Sequence, residues 1–374
     1  MKNLRVHFDR GSIAGGTSFT NPLDVIRADL PDGVPRAFDQ IARAQADGKW
    51  LAGFASYELG YLFSSKLRDL IPTRRALPLL HFGVFDRPTA TVAACDHHTA
   101  TLSLPKPLWS LDEYTTAFAK VHDFICKGDI YQANLTFPMS AHWTGSIDGL
   151  QTLLSERQSA PFGALVDLGG PRLLCRSPEL FFSLSSDGKL TTRPMKGTAA
   201  RGTSAKEDQR NKDWLEASEK NRAENLMIVD LLRNDLSRIS DIGSVQVPKL
   251  FTIETYETLH QMTSTITADL TCGTTIYDIF AAMFPCGSIT GAPKIRAMQI
   301  LGTLEAKARD AYCGAIGWIA PDGAMSFGVS IRTLACHDDG RVGLNVGGGI
   351  VYDSTAGDEY AEALLKSRFA VTAQ

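Results

Sequence analysis

Residues 312–354, "YCGAIGWIAPDGAMSFGVSIRTLACHDDGRVGLNVGGGIVYDS", contain three runs of strand-forming residues separated by two Asp-Gly pairs. An Asp-Gly pair between such runs is a strong signal for a tight β-hairpin turn. We therefore predict a three-stranded antiparallel meander with turns at Asp322-Gly323 and Asp339-Gly340. This stretch points to antiparallel sheets rather than to a parallel one.

The turns also predict the pairing within the meander. If both turns have two residues, Arg332 in the middle strand faces Cys313 on one side and Gly347 on the other. A glycine beside an arginine on a sheet lets a ligand approach the backbone closely. We therefore expect an anion-binding site at Arg332 and Gly347.

Residues 180–197, "LFFSLSSDGKLTTRPMKG", predict a further hairpin that turns at Asp187-Gly188. A two-residue turn would place Glu179 opposite Lys196. Directly opposed residues on one face of a sheet have Cβ atoms about 5 Å apart. The hypothesis is that this lysine has a carboxyl neighbour.

Long helical patterns alternate with hairpins along the rest of the chain. Residues 111–129 repeat apolar side chains near a 3.6-residue period, and residues 211–240 read as one further helix. We predict an α+β fold, a large layered sandwich of antiparallel sheets flanked by helices. Prolines around residues 103–114 suggest an N-terminal region, 1–110, that packs onto a catalytic domain, 111–374, within one structural unit.

The composition excludes several classes of protein. The 374 residues carry 38 Lys+Arg and 41 Asp+Glu, and a net charge of −3 gives no reason to expect nucleic acid or an anionic membrane as a partner. No apolar run approaches the roughly 20 residues of a membrane span, and the first residues lack the apolar core of a signal peptide. Seven cysteines without a CxxC pair suit a reducing cytosol, so we expect a cytoplasmic protein.

Several polar residues could carry chemistry, although each alone has an ordinary explanation. Glu224 and Glu362 lie on helical patterns and could converge on Mg²⁺, which prefers carboxylates, waters and ligand oxygens. Each could equally be a solvated carboxylate beside an apolar stripe. Lys196 alone would be a solvated lysine, and His260 alone a structural histidine.

Eight motifs in order give a more specific signal. They resemble the chorismate-utilising enzymes, a family that includes the component I chains of anthranilate and aminodeoxychorismate synthases and the isochorismate and salicylate synthases. The resemblance runs from about Asp112 to Thr372 and rests on "SPELF", "RPMKGT", "AENLMIVDLLRNDLSRI", "GSITGAPKIRAM", "YCGAIGW", "SIRT", "GGGIVYDS" and "DEYAEALLK".

The resemblance implies a Mg²⁺-dependent site between sheets and helices. It implies that Glu224 and Glu362 are metal ligands with Glu359 nearby. The positions that it places at the substrate chorismate are Gln132, Gly197, Thr198, Thr290, Tyr312, Arg332, Gly347, Gly348, Gly349 and Lys366. Mg²⁺ would hold the ring carboxylate, and Arg332 with Tyr312 the enolpyruvyl carboxylate.

Two positions distinguish the reactions of this family. Gln132 stands where isochorismate and salicylate synthases carry a lysine that activates water, so water addition is disfavoured. Lys196 stands where anthranilate synthases have alanine and aminodeoxychorismate synthases have lysine. The resemblance therefore favours the aminodeoxychorismate synthases, which transfer an amino group to chorismate on the way to 4-aminobenzoate and folate.

In this reaction the resemblance makes Lys196 a nucleophile that attacks C2 of chorismate. We rank Glu179 above His260 as the acid for the leaving hydroxyl, because the predicted hairpin places Glu179 beside Lys196. We expect ammonia from a separate glutamine amidotransferase, and a separate lyase to use the product. Anthranilate synthase component I is the nearest alternative. A non-catalytic tryptophan-binding or regulatory subunit is the alternative from another class.

Overall fold

A computed structural model of the chain describes residues 4–13, 15–90, 100–256, 259–305 and 307–371. The α-helices are α1 (Val34–Ala46), α2 (Leu111–Cys126), α3 (Ile147–Arg157), α4 (Ala205–Ala217), α5 (Glu219–Ser237), α6 (Ile276–Met283), α7 (Lys294–Leu304) and α8 (Ala356–Lys366).

The strands, in chain order, are β1 (Arg5–Phe8), β2 (Thr17–Thr20), β3 (Asp24–Ala28), β4 (Trp50–Ala55), β5 (Leu80–Phe85), β6 (Thr89–Ala90), β7 (Thr101–Leu102), β8 (Lys106–Pro107), β9 (Gln132–Thr144), β10 (Phe162–Asp167), β11 (Arg172–Ser177), β12 (Leu180–Leu184), β13 (Lys189–Arg193), β14 (Met195–Ala200), β15 (Gln246–Thr255), β16 (Leu259–Asp269), β17 (Gly291–Ala292), β18 (Gly314–Ile319), β19 (Met325–Ser330), β20 (Thr333–Cys336) and β21 (Arg341–Ile350).

The strands form two antiparallel sheets. Sheet A has eleven strands with the central order β17-β9-β21-β20-β11-β10-β1-β2-β6, and sheet B has ten with the order β14-β16-β13-β12-β19-β18-β4-β5-β3. Strands from before residue 110 belong to both sheets, since β1 pairs with β10 and β4 pairs with β18.

Three apolar clusters stack the elements into four layers. Side chains such as Phe8, Phe19 and Phe54 fill the space between the sheets. Helices α2, α3, α7 and α8 pack on the outer face of sheet A, and α1, α5 and α6 on that of sheet B. The predicted α+β sandwich with helices outside is confirmed.

All three Asp-Gly hairpins form, but the predicted register is wrong by one residue in each. In each hairpin the last backbone hydrogen bond between the strands encloses one residue more than predicted. The loops therefore have three residues, 186–188, 321–323 and 338–340. The last residue of each loop is a glycine with φ of +87°, +95° and +84°. This is the three-residue hairpin loop that ends in a left-handed residue.

The predicted three-stranded meander is also wrong, because its middle strand is divided between the sheets. Strand β19 pairs with β18 in sheet B, whereas β20 pairs with β21 in sheet A. The chain crosses at Ile331 and Arg332, and Arg332 has a left-handed φ of +51°. Arg332 therefore does not pair with Cys313 or Gly347; Gly347 pairs with Thr136 of β9.

The helix predicted over residues 111–129 is confirmed as α2, which buries Tyr114, Phe118, Val121 and Ile125 on one side. The helix predicted over residues 211–240 is two helices. Ser218 separates them because its hydroxyl caps α5, accepting a hydrogen bond from the backbone N–H of Asn221 at 3.4 Å.

Among the described residues no helix is long and apolar enough to cross a membrane. The six cysteines in those ranges are free thiols, and Cys95 lies outside them. The division at residue 110 remains a prediction.

Candidate active site

Lys196 lies in an interruption of the ladder between β14 and β16. The register shifts between the pairs Met195–Thr263 and Thr198–Gln261, so Lys196 and Gly197 form a bulge. Gly197 has a left-handed φ of +84°.

The side chain of Gln261 holds this bulge. Its Nε2 donates to the carbonyl of Gly197 at 2.7 Å, and its Oε1 accepts from the Thr198 hydroxyl at 3.1 Å. The backbone around the lysine is therefore fixed from the neighbouring strand.

The amine of Lys196 lies among charged groups from several elements. Burial lowers the pKa of Lys196, and the carboxylates of Glu179 and Glu224 oppose that shift. The positive charge of Lys366 lowers the pKa of Lys196 further, and the carboxylate of Glu362 raises it by the smallest amount of these effects. The structure thus gathers the predicted nucleophile, the predicted acid and both predicted metal ligands in one place.

Glu179, directly before β12, is buried with 4% of its surface exposed. The Ser288 hydroxyl donates to its Oε1 at 2.6 Å. Burial raises the pKa of Glu179, and the hydrogen bond from Ser288 and the charge of Lys196 limit that rise.

The route by which Glu179 meets Lys196 differs from the prediction. The hairpin pairs Leu180 with Arg193 after a register shift, so Glu179 and Lys196 are not directly opposed. They interact because Pro194 lies between β13 and β14, and the new strand brings the lysine back toward the carboxyl.

The glycine run of β21 faces helix α8. A Cβ atom on Gly348 would lie 2.8 Å from Glu359 Oε2, 3.6 Å from Lys366 Nζ and 3.9 Å from Glu362 Oε1. Lys366 Nζ donates to the carbonyl of Gly347 at 3.0 Å and pairs with Glu362 at 2.8 Å. Only a residue without a side chain leaves this space free for the charged groups of α8.

The pKa values of Glu359 and Glu362 in α8 are shifted in opposite directions. Burial raises the pKa of Glu359, and the nearby charge of Glu362 raises it further, although the Ser354 hydroxyl bonds to it at 2.7 Å. For Glu362 burial acts in the same direction, but the charge and hydrogen bond of Lys366, together with the charges of Lys196 and Lys220, lower the pKa overall.

Gln132 and Thr290 lie on the far side of the glycine run. Gln132 is 1% exposed, and neither its Nε2 nor its Oε1 has a protein hydrogen-bond partner. Its Nε2 would be 2.6 Å from a Cβ on Gly349. Since buried polar groups are normally paired, Gln132 has both a donor and an acceptor available for a ligand. The Thr290 hydroxyl bonds instead to the carbonyls of Cys286 and Gly287, both at 3.2 Å.

Arg332 and Tyr312 lie where the chain passes between the sheets. Arg332 is partly buried and interacts with the charge of Glu179, and its carbonyl accepts from the N–H of Arg176 at 3.0 Å. Tyr312 is 8% exposed and lies against Asn134. Arg332 is therefore close to Glu179, and Tyr312 to Asn134 of β9, although the register that predicted an Arg332–Gly347 pair was wrong.

His260 is fully buried, and both of its ring nitrogens have partners. One lies 3.0 Å from the Thr255 hydroxyl and the other 2.9 Å from Asp208 Oδ1. In this arrangement neither nitrogen is free for a ligand.

The donor chemistry at α8 and α5 fits Mg²⁺. Glu224, Glu359 and Glu362 supply hard carboxylate oxygens, and Glu359 repels Glu362. Within the described ranges no three His, Cys, Asp or Glu side chains form a ready-made ligand cluster. Waters and substrate oxygens would complete the coordination, as Mg²⁺ commonly requires.

A separate cleft of about 270 Å³ opens elsewhere in the structure. Its lining includes Lys307, His337 and Arg341, and of the predicted site residues it reaches Tyr312 alone. The charged groups around Lys196 do not line this cleft.

Ser288 and Gln261 were missed by the sequence analysis. Ser288 belongs to "GSITGAPK", but its hydrogen bond joins residues 109 apart. Gln261 follows His260, and the ladder between β14 and β16 that aligns it with Thr198 had no local signal. Only the pairing of distant strands identifies either residue.

Residues 90–372 match the family described as chorismate binding enzyme. The chain belongs to this family. Two similar proteins are named aminodeoxychorismate synthase component 1. The one from Klebsiella aerogenes is 39% identical over 75% of this chain and 64% of its own length. The one from Escherichia coli (strain K12) is 36% identical over 84% of this chain and 74% of its own length.

The fold of this chorismate-binding chain also has solved counterparts. Anthranilate synthase component I from Streptococcus pneumoniae TIGR4 superposes with a TM-score of 0.83 at 26% identity. The match covers 97% of this chain and 94% of that one. In the sequence matches the chain spans about two thirds to three quarters of these two component 1 relatives.

Proposed function

We propose that the chain is an aminodeoxychorismate synthase component 1, which converts chorismate and ammonia to 4-amino-4-deoxychorismate. The observation that carries the proposal is Lys196, an amine whose pKa is lowered by burial and which lies among Glu179, Glu224 and Lys366. The names of relatives at 36–39% identity support the same activity.

Chorismate carries two carboxylates, and the site offers positive and N–H groups for both. Arg332 and Tyr312 would bind the enolpyruvyl carboxylate, and the backbone of Gly347–Gly349 with Lys366 would line the ring. Gln132 supports this placement because both of its polar atoms are buried without a protein partner. A buried group of this kind gains most when a ligand pairs with it.

Lys196 would act as a nucleophile. Its neutral amine attacks C2 of the ring, both ring double bonds shift by one position, and the bond from C4 to its hydroxyl breaks. Ammonia then forms a bond to C4, both double bonds shift back, and the bond from C2 to the lysine nitrogen breaks. The surplus proton of the added ammonia balances the proton taken up by the departing lysine amine. Dividing the substitution in two is nucleophilic catalysis, and it requires an amine whose pKa is depressed.

Glu179 would donate the proton that converts the departing C4 hydroxyl to water. This role requires that Glu179 keep its proton, and its raised pKa supports it. The proton that Lys196 loses on forming its bond can return to the carboxylate of Glu179. Because both ring nitrogens of His260 are engaged, we rank Glu179 above it.

Glu224 and Glu362 would hold Mg²⁺, with Glu359 close by. When bound, the ion supplies positive charge for the ring carboxylate. Lys366 already pairs with Glu362, so it would release part of that contact as the ion binds.

Ammonia would come from a glutamine amidotransferase subunit, as a name ending in component 1 suggests for the relatives. The product keeps its enolpyruvyl group, so a separate lyase would release pyruvate and form 4-aminobenzoate. We place the protein in the cytoplasm on the composition alone.

The product assay tests this function. Purified protein is incubated with chorismate, an ammonium salt and Mg²⁺, and products are separated by mass spectrometry. We expect 4-amino-4-deoxychorismate; anthranilate would instead establish the alternative, which the S. pneumoniae structure keeps relevant.

A variant tests the role of the lysine. Lys196→Ala should reduce the rate of chorismate amination by at least a hundredfold. This is the lower end of the rate loss that follows removal of a side chain that takes part in proton transfer or bond formation. Lys189→Ala, an exposed lysine of the same hairpin, is the control and should retain activity. An active Lys196→Ala protein would contradict the covalent mechanism.

A further inference from the structure

Glu179 is connected to two other parts of the chain. The hydroxyl of Ser288 donates to Glu179 Oε1 at 2.6 Å, and the two residues are 3% and 4% exposed. Glu179 also interacts with the backbone of Met195, the residue before Lys196, and with the charge of Lys196 itself. Ser288 is thus linked to the lysine through the carboxyl group of Glu179.

The hydrogen bond from Ser288 to Glu179 assigns the role of the neighbouring thiol of Cys286. Its Sγ lies 3.3 Å from Ser288 Oγ, and burial raises the pKa of the thiol to about 12. A serine hydroxyl has one proton to donate. Because Ser288 gives that proton to Glu179, its oxygen accepts from the S–H of Cys286.

We propose that Ser288 is a positioning residue whose hydroxyl occupies Oε1 of Glu179 and so keeps the acidic proton on the other oxygen, Oε2. The inference rests on the proposed function, in which Glu179 is the general acid. Ser288 acts through Glu179 and makes no contact with chorismate.

The same hydrogen bond sets the acid strength of Glu179. A donor to a carboxyl group favours its ionised form, so Ser288 opposes the effect of burial. Without the hydroxyl the carboxyl becomes a weaker acid and can carry its proton on either oxygen. The proton-transfer step then slows, while chorismate binding is unchanged.

The test compares Ser288→Ala with Ser288→Thr, which keeps a hydroxyl. Ser56→Ala is the matched control, because Ser56 is also buried and its hydroxyl donates one hydrogen bond, to the carbonyl of Pro78 at 2.7 Å. The carboxylic acid band of Glu179 is identified in infrared difference spectra by its loss in Glu179→Gln, and is then followed with pH.

We expect Ser288→Ala to raise the pH at the midpoint of the titration of this band by about one unit. A shift of this size corresponds to the free energy of one hydrogen bond to a charged group. Its kcat should fall about tenfold with the KM for chorismate within twofold. Ser288→Thr should recover most of both values, and Ser56→Ala should change neither.

An unchanged midpoint in Ser288→Ala would overturn the inference, and so would a raised KM with unchanged kcat, which would mean a substrate contact. If Ser288→Ala does not fold, Ser288→Cys, whose thiol donates weakly, must raise the midpoint in the same direction. The infrared titration needs no turnover. Failure of the proposed function would appear in the product assay and leave this result standing.

Discussion

Gly348→Ala is the sharpest test of the metal site, because it adds one methyl group where the carboxylates of α8 meet the sheet. The new Cβ would lie 2.8 Å from Glu359 Oε2. To reach ordinary contact at 3.4 Å, this oxygen must move by about 0.6 Å. Glu362 Oε1 would lie 3.9 Å from the new Cβ, which is an ordinary van der Waals contact.

Such a displacement is large for Mg²⁺, which requires near-ideal octahedral geometry with bonds of about 2.0–2.1 Å. Disturbing a carboxylate beside the ligands typically weakens metal binding about 10- to 100-fold. That factor corresponds to about 1.4–2.7 kcal/mol. The fold should be little affected, since the atoms that must move are the ends of flexible side chains.

The control is Gly343→Ala on the same strand, where a Cβ would meet no atom within 4 Å. Protein stripped with EDTA is titrated with Mg²⁺ by calorimetry and by recovery of activity, and Tm is measured for each variant. Gly348→Ala should need more Mg²⁺ at similar Tm, and Gly343→Ala should match the wild type. Equal Mg²⁺ affinity in all three proteins would refute the placement of the ion at α8.

Two further predictions concern protonation. The pH profile of kcat/KM should be bell-shaped, rising as Lys196, with its lowered pKa, loses its proton and falling as Glu179, with its raised pKa, loses its own. Glu179→Gln should remove the falling limb, and a falling limb kept in that variant would exclude Glu179 as its origin. His81 is buried and its pKa is lowered from 6.5 to about 4 by burial and by Arg27. In that interval the unfolded state of His81 binds more protons, so His81 should contribute a loss of about 3 kcal/mol of stability as pH falls from 6.5 to 4. Urea unfolding of the wild type and of His81→Phe should therefore differ in pH dependence by this amount; identical pH dependence in both proteins would exclude His81.

Local signals in the sequence predicted elements well and their pairing poorly. Helix α2 was predicted because its apolar period lies within one continuous stretch of sequence. The hairpin registers failed because Asp-Gly serves two- and three-residue loops alike. The division of residues 325–336 between the sheets has no local signal, because β19 and β20 are equally strand-like and the choice is made by distant partners.

The candidate site was also predicted better in its residues than in their pairing. Lys196 and Glu179 were associated for a geometric reason that proved wrong, yet Pro194 and a new strand bring them together. The groups that hold them, Ser288 and Gln261, act across 109 and 64 residues. Contacts of this separation depend on sheet order, which a single sequence does not specify.

The pairing of β1 with β10 and of β4 with β18 has a consequence for dissecting the protein. Residues 90–372 carry the family match, but a fragment limited to them would lack β1 and β4. Strands β10 and β18 would then each have an open edge where the intact sheets continue. Open edges recruit other chains, so this fragment should aggregate. The family match therefore covers less of the chain than the two sheets do.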